Sequence, residues 1–268
     1  MNPVTIDFSS YRESVTEALD ILGAGEVLAR QSAILIKPNL INTSPHPVTT
    51  PVDCCEALIG YVRSSSEAEV VIAEGCGDPS VETDEVFDAL GYGVLSTRHG
   101  VALVDLNKAR LRKLEDKNCS AFPEIYLPEI AFTHFIISVP VLKAHSLAVI
   151  TGTLKNMMGL VPPKYYSGKF GTWKKAVFHG DIHRSIIDLN KYRPPDLSLM
   201  DATLGLAEYH LGGRHCCPPV KKIIAGFDPV KVDREAAGLL GLRWEEIPHL
   251  SSIALHQVRS FPVAEQGL

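Results

Sequence analysis

Glu69-Val70-Val71-Ile72-Ala73, the loop Glu74-Gly75-Cys76-Gly77-Asp78-Pro79, and the run from Thr83 to Leu90 together read as strand, loop and helix. The first run is aliphatic and β-branched with no polar alternation, the pattern of a strand covered on both faces. Thr83 supplies a capping hydroxyl, with Asp84 and Glu85 in the first turn where the helix dipole favours acids. The same unit recurs on either side. Upstream, Ala33 to Ile36 is a strand stopped by Pro38, Pro51 to Arg63 is a helix, and Ser10 to Leu22 is amphipathic. Downstream, Val101 to Leu106, Phe135 to Val139, Leu197 to Met200 and Lys222 to Ala225 read as strands. Helices fall over Thr153 to Leu160, Asp181 to Tyr192 and Val230 to Leu240, and a proline- and lysine-rich loop spans 162–175. This order predicts a layered α/β fold with a largely parallel sheet, as one domain over 1–268. Residues 108–120 carry seven charges and little periodicity, so they read as an exposed connector or a boundary between two lobes.

Composition narrows the function classes. The chain has 26 Lys+Arg against 31 Asp+Glu, and a net charge of −5 argues against nucleic acid as the main partner. The longest apolar runs fall short of the roughly 20 residues that a membrane span needs. Met1-Asn2-Pro3 has neither the basic nor the apolar region of a signal peptide, so a cytoplasmic protein is expected. Six cysteines occur with no Cys-x-x-Cys among them, which reads as free thiols. Cys216 and Cys217, with His210 or His215, offer one alternative metal set.

In parallel sheets ligands gather beyond the carboxyl ends of the strands. The loops there carry Lys37 and Asn39, Glu74, Lys143 with His145, Asp201 to Thr203, and Asp228. Lys143 and His145 are two apart, so on an extended backbone they share a face. Thr153 opens a helix whose first turn holds Lys155 and Asn156, a seat for a carboxylate or phosphate beside a cation. Lys155 reads either as an anion-binding ammonium or, if desolvated, as a nucleophile. His179 and His183 are spaced like a helical metal pair, although a helix beginning at Asp181 leaves His179 in the entering loop. Asp201 either orients a histidine or lysine, or binds metal. No Gly-x-x-x-x-Gly-Lys-Ser/Thr run and no Gly-x-Ser-x-Gly elbow is present, which argues against nucleotide-dependent transfer and serine hydrolysis.

Ile36-Lys37-Pro38-Asn39-Leu40, Thr49-Thr50-Pro51, Val71 to Gly75, Gly91-Tyr92, Val104 to Asn107, Lys143-Ala144-His145, Thr151 to Asn156 with Gly159, and Asp228-Pro229-Val230 with Asp233 form a set. It resembles the family known as domain of unknown function 362, in order from Ala33 to Ile253. Members of that family are often described as iron–sulfur proteins because many carry a ferredoxin-like cassette. The resemblance therefore implies a ferredoxin-type partner, while the missing Cys-x-x-Cys argues against an intrinsic cluster. A fainter similarity is to the nickel-pincer lactate racemases, in which a histidine precedes the cofactor-holding lysine by ten residues. His145 and Lys155 keep that separation and His179 takes the place of a later nickel-facing histidine. The Thr-Gly-Thr-His-Arg loop of those enzymes would fall at Glu74 to Asp78, which has neither histidine nor arginine, so the similarity implies a shared scaffold with different chemistry.

The expectation is an enzyme acting on a small anionic organic substrate by metal-assisted isomerisation or redox chemistry. Lys143, His145 and Lys155 are its catalytic candidates. Lys37, Asn39, Glu74, Thr153 and Asn156 are its substrate-binding candidates, and His145, His179, His183 and Asp201 its ligands for a divalent metal. The alternative is a non-catalytic electron-transfer or maturation component that works with a ferredoxin.

Overall fold

The computed structural model describes residues 1–168 and 173–253. Of the proline- and lysine-rich loop, residues 169–172 lie outside the described residues. Among the described residues there are eleven strands: β1 (Val4–Asp7), β2 (Ala33–Pro38), β3 (Glu69–Glu74), β4 (Ala102–Asp105), β5 (Leu111–Glu115), β6 (Glu124–Pro128), β7 (Phe135–Val139), β8 (Val141–His145), β9 (Val149–Thr151), β10 (Leu197–Leu206) and β11 (Lys222–Gly226). The main sheet runs β1-β11-β10-β7-β2-β3-β4. Its centre, from β10 to β4, is parallel. At the other edge β11 is antiparallel to both β10 and β1.

The unbroken apolar runs divide between two cores because successive side chains of a strand face opposite ways. Leu35, Val71, Ala73 and Ile136 enter one core, which the Ile182–Tyr192 and Pro229–Leu239 helices cover. Ile34, Ile36, Val70, Ile72 and Ile137 enter the other, under the Tyr11–Leu22 and Val52–Ser65 helices. The result is a sheet with helices on both faces. Among the described residues no helix is long and apolar enough to cross a membrane.

Three local expectations are corrected. The helix after β3 spans Thr83–Ala89 and is capped one residue earlier than read, by a reciprocal box between Glu82 and Glu85. Part of the 108–120 segment is β5, paired with β6; Ile125 and Leu127 reach the core and Leu114 packs against it, so this part is no bare connector. Its charges sit on the outward residues of a hairpin, which masks the alternation. Finally, β10 continues through Leu206, so Asp201 lies inside a strand and not in a strand-end loop. Beyond Asp201 the strand is supported by β8, a partner that pattern reading did not provide.

Chain order sets where the site falls. From β2 the sheet grows through β3 to β4 on one side, and from β7 to β10 on the other. The strand order therefore reverses between β2 and β7, and the cleft outside their carboxyl ends is the expected ligand position.

Candidate active site

Lys37, near the end of β2, is fully buried. Its Nζ donates to both oxygens of Glu74 at the end of β3 (3.0 and 2.9 Å), to Asn156 Oδ1 (3.2 Å) and to the carbonyl of Pro38 (3.2 Å). Backbone N–H groups of Leu40 and Gly75 also donate to Glu74 (3.2 and 2.8 Å). Glu74 is thus fully committed. Burying such a pair costs desolvation, and these extra bonds offset it. Asn156 returns its amide N–H to Lys37 O (3.1 Å) and Ser138 Oγ (3.0 Å), tying β2 to β7.

Lys143, on β8, donates to Asn39 Oδ1 (2.5 Å) and to Val48 O (2.7 Å). Thr50 Oγ accepts from the N–H of Asn39 (2.9 Å) and donates to Val139 O (2.7 Å), and Tyr92 donates to Thr50 O (2.9 Å). These motif residues clamp the loop after β2 onto the end of β7.

His145, at the end of β8, is on the same extended segment as Lys143. Its Nδ1 accepts from the N–H groups of Leu147 (3.0 Å) and Ala148 (3.1 Å). An acceptor carries no hydrogen, so the neutral ring bears its proton on Nε2. Its ring stacks on His210 with centroids 3.7 Å apart. His179 has the opposite tautomer, because Nδ1 donates to the carbonyl of Lys175 (3.0 Å) and leaves Nε2 as acceptor. Burial, with Lys155 nearby, holds His145 well below the ordinary imidazole range and brings His210 down to about 3. Burial lowers His179 as well. All three rings are therefore neutral at physiological pH.

Lys155 sits in the short Thr153–Asn156 helix. The expected seat for an external anion at that helix start is filled by the chain itself. Asp233 accepts from the N–H of Thr153 (2.6 Å) and of Leu154 (3.0 Å), and the residue at the cap is Gly152, where a Cβ would run into that carboxylate. Thr153 is the first helical residue instead of the cap; its hydroxyl is buried away from the cavity, so it is corrected as a substrate-binding candidate. Lys155 lines the cavity, and its Nζ has no hydrogen-bond acceptor among the described residues.

Asn39, Glu74, His145, Lys155, Asn156, Lys175, His179 and His210 share a cavity of about 290 Å³, walled toward solvent by Leu147, Trp173 and Tyr209. That volume is at the small end for ligand pockets. Glu74 is the one acidic side chain among the described residues that line it. Burial, with Lys37 nearby, brings Lys155 down to about 8. Lys143 falls to about 7 through burial and the charge of Lys155, and Lys175 to about 7 through burial. Lys175 donates to Asn107 Oδ1 (3.1 Å), Gly159 O (3.2 Å) and Val161 O (2.9 Å).

The sequence candidates therefore separate. His145, Lys155, Asn39, Glu74 and Asn156 line the cavity; Lys37 and Lys143 stand directly behind it, each holding a residue that does. The four metal candidates do not come together. His145 and His179 line the cavity, whereas His183 pairs with His249 (2.9 Å). Asp201 is engaged by Tyr11 (2.7 Å), Thr203 (2.7 Å) and His46 (3.2 Å). Its carboxylate is thereby committed within the protein, away from the cavity. Among the described residues no three His, Cys, Asp or Glu side chains are grouped as a metal set, including Cys216 and Cys217 with His210 or His215. Lys175 and His210 are site residues that sequence reasoning missed. Their only signals are Lys175 at the end of the proline- and lysine-rich loop, and His210 as a companion of the Cys216-Cys217 pair.

Fold and cavity together define an α/β protein whose switch point is lined with lysines and neutral imidazoles. The chain belongs to the family described as domain of unknown function (DUF362), which matches residues 34–238. That span contains every residue lining the cavity. No curated protein matches the chain.

Proposed function

We propose that this chain is an enzyme that binds a small organic anion in the switch-point cavity and transfers a proton on it. One observation carries the reading. Two lysine amines and three imidazoles face a small cavity whose one carboxylate among the described residues is already committed to Lys37. Cations focused in a low-dielectric cleft attract a carboxylate strongly. Lys155 holds the anion, the Nε2–H of His145 donates, and Nε2 of His179 accepts. Opposite tautomers on two neutral rings are what acid–base transfer on one ligand needs. Because the described residues do not form a three-ligand metal set, no step here runs through a metal. Cys54, Cys55, Cys76 and Cys119 are buried free thiols.

The test is calorimetric titration with malonate at pH 8 in buffers of different ionisation enthalpy. Malonate is expected to bind with proton uptake, since an anion favours the ammonium form of Lys155. Lys155→Ala is expected to weaken binding about tenfold or more, the order of one lost charge-assisted contact. No binding, or equal affinity in the variant, contradicts the reading.

A further inference from the structure

We infer that Lys155 is an imine-forming amine and that the substrate is a small oxo acid whose carbonyl carbon it attacks. The inference rests on the anion-binding reading and names the chemistry of the same cavity. Four lysines surround the site, and three are tied down as hydrogen-bond donors. Lys37 is held by Glu74, Asn156 and Pro38, Lys143 by Asn39 and Val48, and Lys175 by Asn107, Gly159 and Val161. Each would forfeit hydrogen bonds on losing a proton. Lys155 has no acceptor among the described residues, is 8% exposed and lines the cavity, so its neutral form gives up none. A desolvated lysine beside other cations is the recurring setting for carbonyl-attacking amines. Its helix is anchored through Asp233, which fixes the amine in place.

The step balances without a co-reactant. The Nζ lone pair attacks the carbonyl carbon and forms a C–N bond. The carbonyl oxygen leaves as water, taking the two amine hydrogens overall, and a C=N bond remains. The Nε2–H of His145 supplies a proton to the departing oxygen and recovers one from the nitrogen. Leu147, Trp173 and Tyr209 leave an apolar mouth for a substituent.

The experiment is reductive trapping. The full chain is incubated with pyruvate or phenylpyruvate and sodium cyanoborohydride at pH 8, then analysed by intact mass and peptide mapping. One adduct per chain on Lys155 is expected, formed at least about tenfold faster than on the exposed Lys117. Lys155→Arg, checked for folding by circular dichroism, is expected to bind malonate and to show no such adduct. Absence of trapping in the wild type, or trapping first at Lys143, Lys175 or surface lysines, overturns the inference. If trapping fails while malonate still binds in a Lys155-dependent way, the imine is wrong and the anion site stands. If malonate also fails to bind, the functional reading beneath it falls too.

Discussion

Gly159 has no room for a side chain. A Cβ there would collide with Glu74 Oε1 and with the end of Lys37, both pinned by four or more bonded partners between them. Neither can step aside without breaking the buried ion pair. Gly159→Ala is therefore expected to destabilise by about 2 kcal/mol or more, the range of overpacking and a strained buried pair. Gly60, inside the Val52–Ser65 helix, has nothing within 4 Å of a built Cβ. Gly60→Ala is expected to stabilise by about 0.5–1 kcal/mol through helix propensity alone. Urea unfolding of the two variants checks the contrast, and similar midpoints would remove the steric argument. At this scale much of the site was legible. Lys143 and His145 sit on one extended segment because a two-residue spacing on a strand permits little else.

The Thr153–Asn156 helix is a single turn, too short to form on its own. It is fixed by the Pro229–Leu239 helix, whose Asp233 accepts from two of its N–H groups. Asp233→Ala leaves those buried donors unpaired, at about 1–3 kcal/mol each. Lower thermal stability and weaker malonate binding are both expected, because Lys155 loses its anchor. Asp233→Asn keeps one acceptor and should fall between. Malonate affinity unchanged in Asp233→Ala would show that the anchor does not position Lys155. This element shows where sequence reading stops. A helix start at Thr153 with a cation beside it was visible, and so was a vacant-looking anion seat. That the seat is taken by a carboxylate from a distant helix was not, since no local pattern links Thr153 to Asp233. Asp201 was misplaced for a similar reason, its strand being extended by pairing with β8.

Across the whole molecule, the acid excess that gives a net charge of −5 lies elsewhere than at the switch point. There, strand ends from β2, β3 and β8 meet loops from the second half of the chain. The βα order predicted the layered sheet and the cleft beyond its strand ends. It left out Lys175 and His210, which come from irregular segments whose path only tertiary packing sets. The consequence is a cluster of lysines held below the ordinary range, with the sign of its pH dependence fixed. Burial favours neutral Lys155, and an added anion favours its ammonium form. Anion affinity must then fall as pH rises through that titration. The direct measurement is ¹³C-lysine NMR of Lys155, assigned with Lys155→Arg, across a pH series with and without malonate. Titration near about 8 in the free protein, moved upward by malonate, is expected. A resonance titrating near the ordinary 10.5 and indifferent to malonate would contradict the anion-binding cavity.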